Sequence, residues 1–376
     1  MSGLSVLVVA SSFPANRQDW KGVFIRQLVE AMARQSECGR VSLWAPPGEV
    51  AVQVSRRYGS GDGDWLAGLM EKGGIAHLLR TDLLGGIASA VILLYRLRRI
   101  YKSVDDVDVL FVNWLQSIIP LAGNKKPLLV TVLGSDMALL RFKPLRYFVR
   151  RQLLRRKSVV CPNAEWMVEP LRSALGPGVN IRHMAFGIER EWYEVRRSIA
   201  GNVCFKWVVI TRLTADKLGP LFEWGESHFN DERRELHLFG PMQEQVSIPE
   251  WVHYHGPVTP ADLQSQWFPK ACGLITLSRH SEGRPQVMLE AMAAGVPILA
   301  SGIEAHCDFL AHKQSAWICD GQAAFSEGLS WLESAENSLA VTKAAKEWVV
   351  NNVGSWDDCA RRYLDVLDEL AVEGEI

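Results

Sequence analysis

A strand, a polar loop, a short helix and a second strand follow one another between residues 274 and 300, and this order constrains the fold more than any other feature. The loop holds Glu282, and Pro285 stands at the start of the helix. Gly295 ends the helix and Pro297 opens the next strand, which is the usual placement of proline and glycine around a helix. In open α/β sheets, ligands bind beyond the carboxyl ends of the strands, where loops lead into helix N-termini.

The alternation of short apolar strands with helices runs through both halves of the chain. It predicts parallel sheets covered by helices on both faces. Predicted strands of the first half are Leu4–Ala10, Val41–Ala45, Val109–Val112, Leu128–Val132, Val159–Cys161 and Ile181–Ala185. Those of the second half are Trp207–Thr211, Leu236–Phe239, Val252–His255, Leu274–Leu277, Ile298–Ala300 and Trp317–Cys319. The polar stretch Gly187–Asn202 predicts a connection, so we expect two Rossmann-like domains, residues 1–190 and 191–355, with a ligand cleft between them.

Length and composition are those of a globular protein, with 376 residues, 48% hydrophobic and 22% charged. The longest apolar run, Gly85–Leu94, is far shorter than a membrane span. The N-terminus runs directly into an apolar strand, so no signal peptide is expected. Seven scattered cysteines without a CxxC pair indicate reduced thiols and a cytoplasmic location.

Charge is divided unevenly along the chain. Residues 1–190 carry 26 Lys and Arg against 15 Asp and Glu, whereas residues 191–376 carry 15 against 27. This division indicates an anionic partner for the first half. Nucleic acid, an anionic membrane surface and a phosphorylated lipid all qualify.

One predicted helix, Leu145–Lys157, combines basic and apolar residues. Its predicted apolar face is Phe148, Val149, Leu153 and Leu154, and its basic face is Arg146, Arg150, Arg151, Arg155 and Arg156. Such helices can lie on anionic membranes. The alternative is a helix packed on the sheet with a solvated basic face. Nucleic acid is the weaker reading because no recognition pattern accompanies the charge.

The segment around the predicted helix resembles the donor-site signature of family 4 of the retaining glycosyltransferases, also called glycosyl transferases group 1. The matching positions are Ser278, Glu282, Gly283, Pro285, Glu290, Ala291, Met292, Ala293, Gly295 and Pro297. The resemblance implies the GT-B fold, a nucleoside diphosphate sugar as donor, no other cofactor and no catalytic metal. It also implies that a C-terminal helix, residues 356–376, packs back on the first domain. The alternative is an ordinary βαβ unit with surface glutamates.

The same resemblance assigns the donor-binding residues. Arg212 and Lys217 have the family's spacing of an Arg and a Lys that bind the donor diphosphate, where fixed cations stabilise the leaving group. Leu218 intervenes before the family's glycine. Arg212, Lys217 and Glu282 are the expected catalytic residues. The expected donor-binding residues are Gly22, Arg212, Lys217, Glu282, Gly283, Arg284, Pro285, Gln286, Val287 and Glu290. Alternatively, Gly22 only caps a helix, and Arg212 and Lys217 are surface residues.

The acceptor-side candidates are Asn113, Gly134 and Asp136. The last two lie in a segment similar to the family's H-G-x-D loop, with Leu133 where histidine is common. Asp136 could instead be a helix N-cap, for which aspartate is favoured, and Asn113 could be a turn residue. His280 could reach a phosphate or a sugar hydroxyl.

Two DxD patterns, Asp62–Asp64 and Asp106–Asp108, lack a supporting constellation. We expect both to be solvated turns, the first in a surface loop, and we predict no metal site.

Together these features predict a metal-independent, retaining glycosyltransferase of the hexosyltransferase type. Its acceptor would be a saccharide, lipid-linked by our expectation, in the assembly of a cell-surface polysaccharide or glycolipid. We expect it at the inner face of the cell membrane, bound peripherally to an anionic surface and not to nucleic acid. Two alternatives stay open. One is a sugar-nucleotide-binding or regulatory module without turnover, which the missing histidine favours, and the other is an inverting or epimerising GT-B enzyme.

Overall fold

The computed structural model describes residues 3–19, 21–198, 204–230, 232–280 and 282–372, without the side chain of Ser135. The chain divides into two compact units. The first unit comprises Met1–Gly187 and Trp356–Ile376, and the second comprises Ile188–Ser355.

Within the described residues, the first unit holds a seven-stranded parallel sheet in the order β3-β2-β1-β4-β5-β6-β7. Its strands are β1 Leu4–Val9, β2 Cys38–Trp44, β3 Val54–Arg56, β4 Val109–Asn113, β5 Leu128–Val132, β6 Ser158–Pro162 and β7 Asn180–Ile181. Its helices up to this point are α1 Val23–Arg34, α2 Asp62–Glu71, α3 Ile75–Thr81, α4 Leu83–Tyr101, α5 Ser135–Leu139, α6 Lys143–Leu153 and α7 Val168–Leu175. Short 3₁₀ helices span Leu115–Leu121 and Glu165–Met167.

In the same described ranges, the second unit holds a six-stranded parallel sheet in the order β10-β9-β8-β11-β12-β13. The strands are β8 Phe205–Ile210, β9 Arg234–Phe239, β10 Val252–Gly256, β11 Gly273–Thr276, β12 Ile298–Ser301 and β13 Trp317–Cys319. The helices are α8 Glu191–Glu194, α9 Ala215–Leu218, α10 Leu221–Phe229, α11 Pro260–Asp262, α12 Gln286–Ala293, α13 Glu304–Cys307, α14 Gln322–Glu333 and α15 Ala335–Asn352. A π-helix spans Leu263–Trp267 and a 3₁₀ helix spans Phe268–Lys270.

The two-residue period of β1 explains how the first sheet is covered on both faces. Val6 and Val8 are buried in the cluster that includes α1, whereas Leu7 and Val9 are buried in the cluster that includes α4 and α6. A strand that is buried on both faces has to be apolar throughout. This explains the continuous apolar strands in the sequence and confirms the prediction of two Rossmann-like α/β folds.

The last helix, α16 (Trp356–Val372), belongs to the first unit and packs against α1. The ring of Tyr363 stacks on Phe111 of β4 with 5.3 Å between the centroids. Arg34 at the end of α1 donates to Asp357 at 2.8 Å. The chain therefore returns to its first sheet after the second has been completed.

The predicted strand Ile181–Ala185 is largely wrong in its extent. Regular pairing stops at Ile181, and Met184 still donates its backbone N–H to the Pro162 carbonyl at 3.0 Å. β7 lies at the sheet edge beside β6, and beyond Ile181 the chain stays attached to β6 through single hydrogen bonds from Arg182 and Met184 without regular strand pairing.

The expectation of a solvated turn at Asp62 is also wrong. Asp62 opens α2 and is 2% exposed. Its carboxylate accepts hydrogen bonds from Trp44 Nε1 at 2.8 Å and from Arg96 Nη1 at 2.7 Å. Burial favours the neutral form, but these hydrogen bonds outweigh it and lower the pKa of Asp62. Asp62 therefore ties α2 to α4 as a buried carboxylate.

The basic face of α6 is only partly solvated. Arg150 Nε donates to the Leu175 carbonyl at 2.7 Å, and Arg156 Nη2 donates to the Leu121 carbonyl at 3.2 Å. Arg151 and Arg155 are exposed. Phe148, which was expected on the apolar face, is 46% exposed. The helix also begins and ends earlier than predicted, at Lys143 and Leu153.

Among the described residues, no helix combines the length and the apolar content that are required to cross a membrane.

Candidate functional site

Polar side chains gather at the carboxyl ends of three neighbouring strands of the second unit. Arg212 follows β8, and Lys217 lies in α9 of the same connection. Glu282 lies in the loop between β11 and α12. Strands β8, β11 and β12 are adjacent in the sheet, so these loops meet at one edge.

Lys217 and Glu282 form an ion pair at this edge. Lys217 Nζ lies 2.8 Å from Glu282 Oε1, and their side chains are only 10% and 18% exposed. Ser278 Oγ donates to the same carboxylate oxygen at 3.1 Å. Ser278 also accepts the backbone N–H of His280 at 3.1 Å, which shapes the loop. The loop after β11 therefore holds the Glu282 carboxylate in place beside Lys217.

Each member of the pair changes the protonation of the other. Burial lowers the pKa of Lys217, and the attraction of Glu282 opposes this shift. Burial favours the neutral form of Glu282, but the charge of Lys217 and the hydrogen bonds from Lys217 and Ser278 outweigh it, so the pKa of Glu282 is lowered. The carboxylate consequently stays ionised at neutral pH although it is largely shielded from water.

Arg212 and His280 add to the field around the pair. The Arg212 guanidinium lies 3.4 Å from Gln243 Oε1, is partly exposed and contributes to the lowered pKa of Lys217. Burial of the ring, followed by repulsion from Lys217, lowers the pKa of His280. The edge therefore presents two cations, Arg212 and Lys217, beside one carboxylate.

The N-terminus of α12 opens beside this group. The helix begins at Gln286 after Pro285, and no side chain in the described part caps its first turn. Met288 donates its N–H to the Pro285 carbonyl at 3.2 Å. A helix start of this kind favours anionic or oxygen-rich ligands. Gly283 is buried, whereas Gln286 and Val287 are partly exposed.

Arg284, predicted to bind the donor, directs its side chain away from solvent. Its Nη2 donates to Asp308 at 2.6 Å, and both side chains are almost fully buried. The guanidinium also lies over the rings of Phe309 and Trp348, at 5.6 and 5.8 Å from their centroids. Its charge is thus neutralised by Asp308 within the unit.

Glu290 lies on α12, between the buried residues Leu289 and Ala291. Its pKa is raised to about 8, mainly by burial and to a smaller extent by the nearby charge of Glu189. Its carboxyl group receives no hydrogen bond or ion pair from the residues that the structure describes. At neutral pH the carboxyl group is therefore mostly protonated, and it has capacity for an external partner.

His306 is a component of this edge to which the sequence assigned no role. It is fully buried, and its Nδ1 lies 2.9 Å from the Ser301 carbonyl. That contact makes Nδ1 the donor, so Nε2 is the acceptor, and Nε2 has no hydrogen-bond partner in the described structure. Glu282 and Lys217 both act on the pKa of His306, which burial lowers. The only sequence signal was a histidine shortly after an apolar strand.

The acceptor-side candidates lie at the carboxyl ends of β4 and β5 in the first unit. Asn113 is the last residue of β4 and is buried, so the turn alternative is wrong. It donates to the Val9 carbonyl at 3.1 Å and accepts from Thr131 Oγ1 at 2.8 Å. Asn113 thereby joins the ends of three adjacent strands.

Asp136 has a similar bridging position. Its two carboxylate oxygens accept the backbone N–H groups of Leu133 at 3.0 Å and Leu115 at 3.2 Å. Burial raises its pKa to about 6. The N-cap alternative is wrong, because Gly134 precedes α5 and Asp136 is the second residue of the helix. Gly134 has φ 100°, a conformation that favours glycine.

Gly22 directly precedes α1 with φ 69°. A Cβ atom there would lie 3.0 Å from Ser12 Oγ and 3.3 Å from Phe13 Cα. Glycine is therefore required both by the backbone conformation and by the close approach of the loop after β1. Trp114, directly after Asn113, also has a positive φ, 68°, which is uncommon for a large residue.

The predicted residues therefore fall into two groups, each in its own unit. The structure brings together Arg212, Lys217, Glu282, Gly283, Pro285, Gln286 and Val287 in the second unit, with Glu290 further along α12. Gly22, Asn113, Gly134 and Asp136 lie in the first unit. Over the described ranges, no group of three or more His, Cys, Asp or Glu residues could hold a metal ion.

Comparison with known proteins gives a family for part of the chain and a fold for all of it. Residues 242–348 match the family model described as Glycosyl transferases group 1. No curated protein matches the chain in sequence.

Several solved structures are similar over almost the full length. Sucrose-phosphate synthase from Thermosynechococcus elongatus has 14% identity and a TM-score of 0.74, with 99% of this chain and 100% of that chain covered. HepE from Anabaena, in complex with UDP and glucose, has 13% identity and a TM-score of 0.68, with 98% and 100% covered. A glycosyltransferase from Rickettsia africae has 11% identity and a TM-score of 0.68, with both chains covered completely. At such identities the similarity shows the fold, which is GT-B.

Proposed function

We propose that this chain, which carries a glycosyl transferases group 1 domain within a GT-B fold, is a retaining glycosyltransferase. It moves a sugar from a nucleoside diphosphate sugar to a saccharide acceptor. The observation that carries this proposal is the Lys217–Glu282 pair, 2.8 Å apart, beside Arg212 at the sheet edge of the second unit. Two cations and one ionised carboxylate suit a ligand with a diphosphate at one end and hydroxyl groups at the other.

In this proposal the two cations stabilise the leaving group. When the bond between the anomeric carbon and the diphosphate breaks, negative charge grows on the phosphate oxygens, and Arg212 and Lys217 neutralise it. The acceptor oxygen forms its new bond on the same face of the sugar. Its proton passes to the departing phosphate oxygen, so the configuration is retained and no separate base is required. Because both cations are fixed residues of the chain, we propose that no metal ion is needed.

The two carboxylates bind different parts of the donor. Glu282 accepts hydrogen bonds from hydroxyl groups of the transferred sugar, next to the cations Arg212 and Lys217 that bind the diphosphate. Glu290, which has no protein partner in the described part, accepts hydrogen bonds from the ribose hydroxyl groups. HepE, which shares the fold, has been solved with UDP-glucose, and this makes UDP-glucose the first donor to test.

The acceptor in this proposal is lipid-linked, and the product belongs to a cell-surface polysaccharide or glycolipid. The support is the charge of the first half, where 26 Lys and Arg stand against 15 Asp and Glu. An anionic membrane surface would attract this half and would present a lipid-linked saccharide to it. We therefore propose a cytoplasmic protein bound peripherally to the inner face of the membrane.

The test is a screen of nucleotide sugars with the purified protein. Release of the nucleoside diphosphate is followed with and without saccharide acceptors. Slow hydrolysis of one donor, accelerated by an acceptor, supports the proposal. Tight binding of a nucleotide sugar without hydrolysis or transfer to any acceptor would favour a sugar-nucleotide-binding module instead.

A further inference from the structure

The outer face of α4 is apolar although it is exposed. Leu84, Ile87, Val91 and Tyr95 are 80%, 49%, 61% and 62% exposed, and they follow one another at helical spacing on one side. The opposite side of the same helix, including Leu93 and Leu97, is buried in the core of the first unit. The helix is therefore apolar on both sides, and only one of them has a partner in the first unit's core.

A second exposed apolar group lies at the start of α6. Phe142, Tyr147 and Phe148 are 65%, 60% and 46% exposed, and the last two rings contact each other edge to face at 5.6 Å. Helices α4 and α6 both pack on the 3₁₀ helix Leu115–Leu121, on the same side of the sheet. The two exposed groups consequently belong to one helical layer of the first unit.

The stretch of chain that contains both groups carries mainly positive charge. Residues 83–164 contain 14 Lys and Arg against four Asp and no Glu. Of these aspartates, Asp106 pairs with Arg40 and Arg57, Asp108 accepts the Ser5 N–H, and Asp136 is buried. The end of α4 carries Arg98 and Arg99, both exposed. Positive charge therefore predominates along this stretch of the chain, although Asp105 and Asp82, the N-cap residue of α4, are exposed carboxylates.

We propose that the exposed face of α4 is the membrane-docking surface of the protein, and that it lies in the interface of an anionic phospholipid bilayer. A helix of 19 residues is about 28 Å long and would lie parallel to the membrane plane, with its apolar side chains at the boundary of headgroups and acyl chains. The exposed cations Arg98 and Arg99 of α4 and Arg151 of α6 contact the anionic headgroups. Phe142 and Tyr147 insert beside the α4 face.

An anionic bilayer fits this surface better than a second copy of the chain. A symmetric pair would place the same patch of both subunits face to face. A pairing with the two α4 helices parallel would bring the exposed Arg98 and Arg99 of each copy together, and like charges in contact are unfavourable. An anionic bilayer offers an apolar interior and neutralises the cations at the same time.

The docking surface specifies how the membrane binding in the proposed function would occur, and it rests on the proposed function only for the lipid-linked acceptor. Donor hydrolysis in solution, measured on every variant, keeps the two claims apart. If the α4 variant loses membrane binding and keeps hydrolysis of a soluble donor, docking is separated from catalysis. If the wild type binds vesicles but turns over no donor, the proposed function fails and the docking surface stands.

The test is vesicle flotation with the triple variant Leu84→Gln, Ile87→Gln and Val91→Gln. Its matched control carries Leu339→Gln and Val350→Gln on α15, where both side chains are also exposed. Vesicles of phosphatidylcholine alone are compared with vesicles that also contain phosphatidylglycerol, each at low and at high salt. If the thermal unfolding of the triple variant is altered, the single variant Leu84→Gln, at the most exposed of these positions, is tested in its place.

We expect the wild type and the α15 control to bind the anionic vesicles, and a part of that binding to persist at high salt because apolar insertion is not screened. The triple variant should bind about 100-fold more weakly and should lose the salt-resistant part. A variant with Arg151→Gln and Arg155→Gln should lose mainly the salt-sensitive part. Wild-type vesicle binding by the triple variant would overturn the inference. It would also be overturned if the wild type were a dimer by light scattering and the triple variant a monomer with unchanged vesicle binding.

Discussion

Lys217 and Glu282, which come from the connections after two adjacent strands, lie 2.8 Å apart at the edge of the second sheet. The pair is largely shielded from water, so each charge depends on the other. Burial alone would favour the neutral form of both residues. The lowered pKa of Glu282 shows that the ion pair and the hydrogen bonds outweigh burial for the carboxylate.

We expect Lys217→Met to reduce glycosyl transfer by about 100-fold or more, because a fixed cation for the developing diphosphate charge is lost. The same variant should bind the free nucleoside diphosphate more weakly. Glu282→Gln should also reduce transfer, but it should leave binding of the free nucleotide nearly unchanged because its proposed partner is the sugar. Calorimetry with the nucleotide and transfer rates with the full donor measure these effects.

The matched control is Lys343→Met, which removes an exposed lysine of α15. It should behave as the wild type in both assays. An equal loss of nucleotide binding in the Lys217 and Glu282 variants would show that the two residues do not have separate roles.

The raised pKa of Glu290 predicts a pH dependence of nucleotide binding. Burial raises this pKa to about 8, so the carboxyl group is mostly protonated in the free protein at pH 7. If ribose hydroxyls donate to the carboxylate form, binding releases a proton. Affinity should then rise by up to about tenfold per pH unit below that pKa and level off above it.

The comparison is with Glu290→Gln, which cannot ionise. Affinities of both proteins are measured by calorimetry over the same pH range. The nucleotide phosphate ionises equally in both experiments, so the ratio of the two affinities removes its effect. Parallel affinity curves for wild type and variant would contradict a role of the Glu290 carboxylate in binding.

Asp136 should contribute first to stability, because its carboxylate accepts two backbone N–H groups in a buried site. Asp136→Ala leaves both donors without their partner and should cost about 1–3 kcal/mol of unfolding free energy for each. Denaturant unfolding gives the stability, and calorimetry should show unchanged nucleotide binding by the second unit. A stable Asp136→Ala protein with a raised KM for the acceptor alone would instead indicate direct contact with the acceptor.

The buried pair of Arg284 and Asp308 should behave differently from the pair at the sheet edge. Arg284→Met removes the cation that pairs with the buried Asp308 carboxylate and should cost about 3–5 kcal/mol of unfolding free energy. The double variant Arg284→Met with Asp308→Leu should recover much of this loss, because no charge is left unpaired. Thermal or denaturant unfolding of the single and double variants measures the coupling. A double variant no more stable than Arg284→Met would show that the ion pair is not the source of the cost.

The sequence predicted the parallel sheets, and it placed Arg212 and Lys217 in one connection, because both features depend on local patterns. Continuous apolar strands require burial on both faces, and the spacing from Arg212 to Lys217 places both in one connection. Side-chain partners that are distant in sequence could not be predicted. The pairing of Asp62 with Trp44 and Arg96 depends on how α2 packs on α4, and no local pattern records it.

The same reason accounts for the direction of Arg284 and for the buried position of His306. Both depend on residues that follow β12, whereas the sequence signature describes only the segment before it. Asn113 and Asp136 were singled out by resemblance to the family's acceptor side, and the structure places them at the end of β4 and in α5 after β5. Their hydrogen bonds to neighbouring strand ends arise from the strand order of the sheet, which the sequence does not state.

We propose that the fixed cations at the sheet edge of the second unit support retaining transfer without a metal ion. NMR of the product formed from an α-linked nucleotide sugar, in parallel reactions with and without EDTA, measures both properties. We expect an α-linked product, formed at the same rate with and without EDTA. A β-linked product, or activity that EDTA abolishes and Mn²⁺ or Mg²⁺ restores, would contradict it.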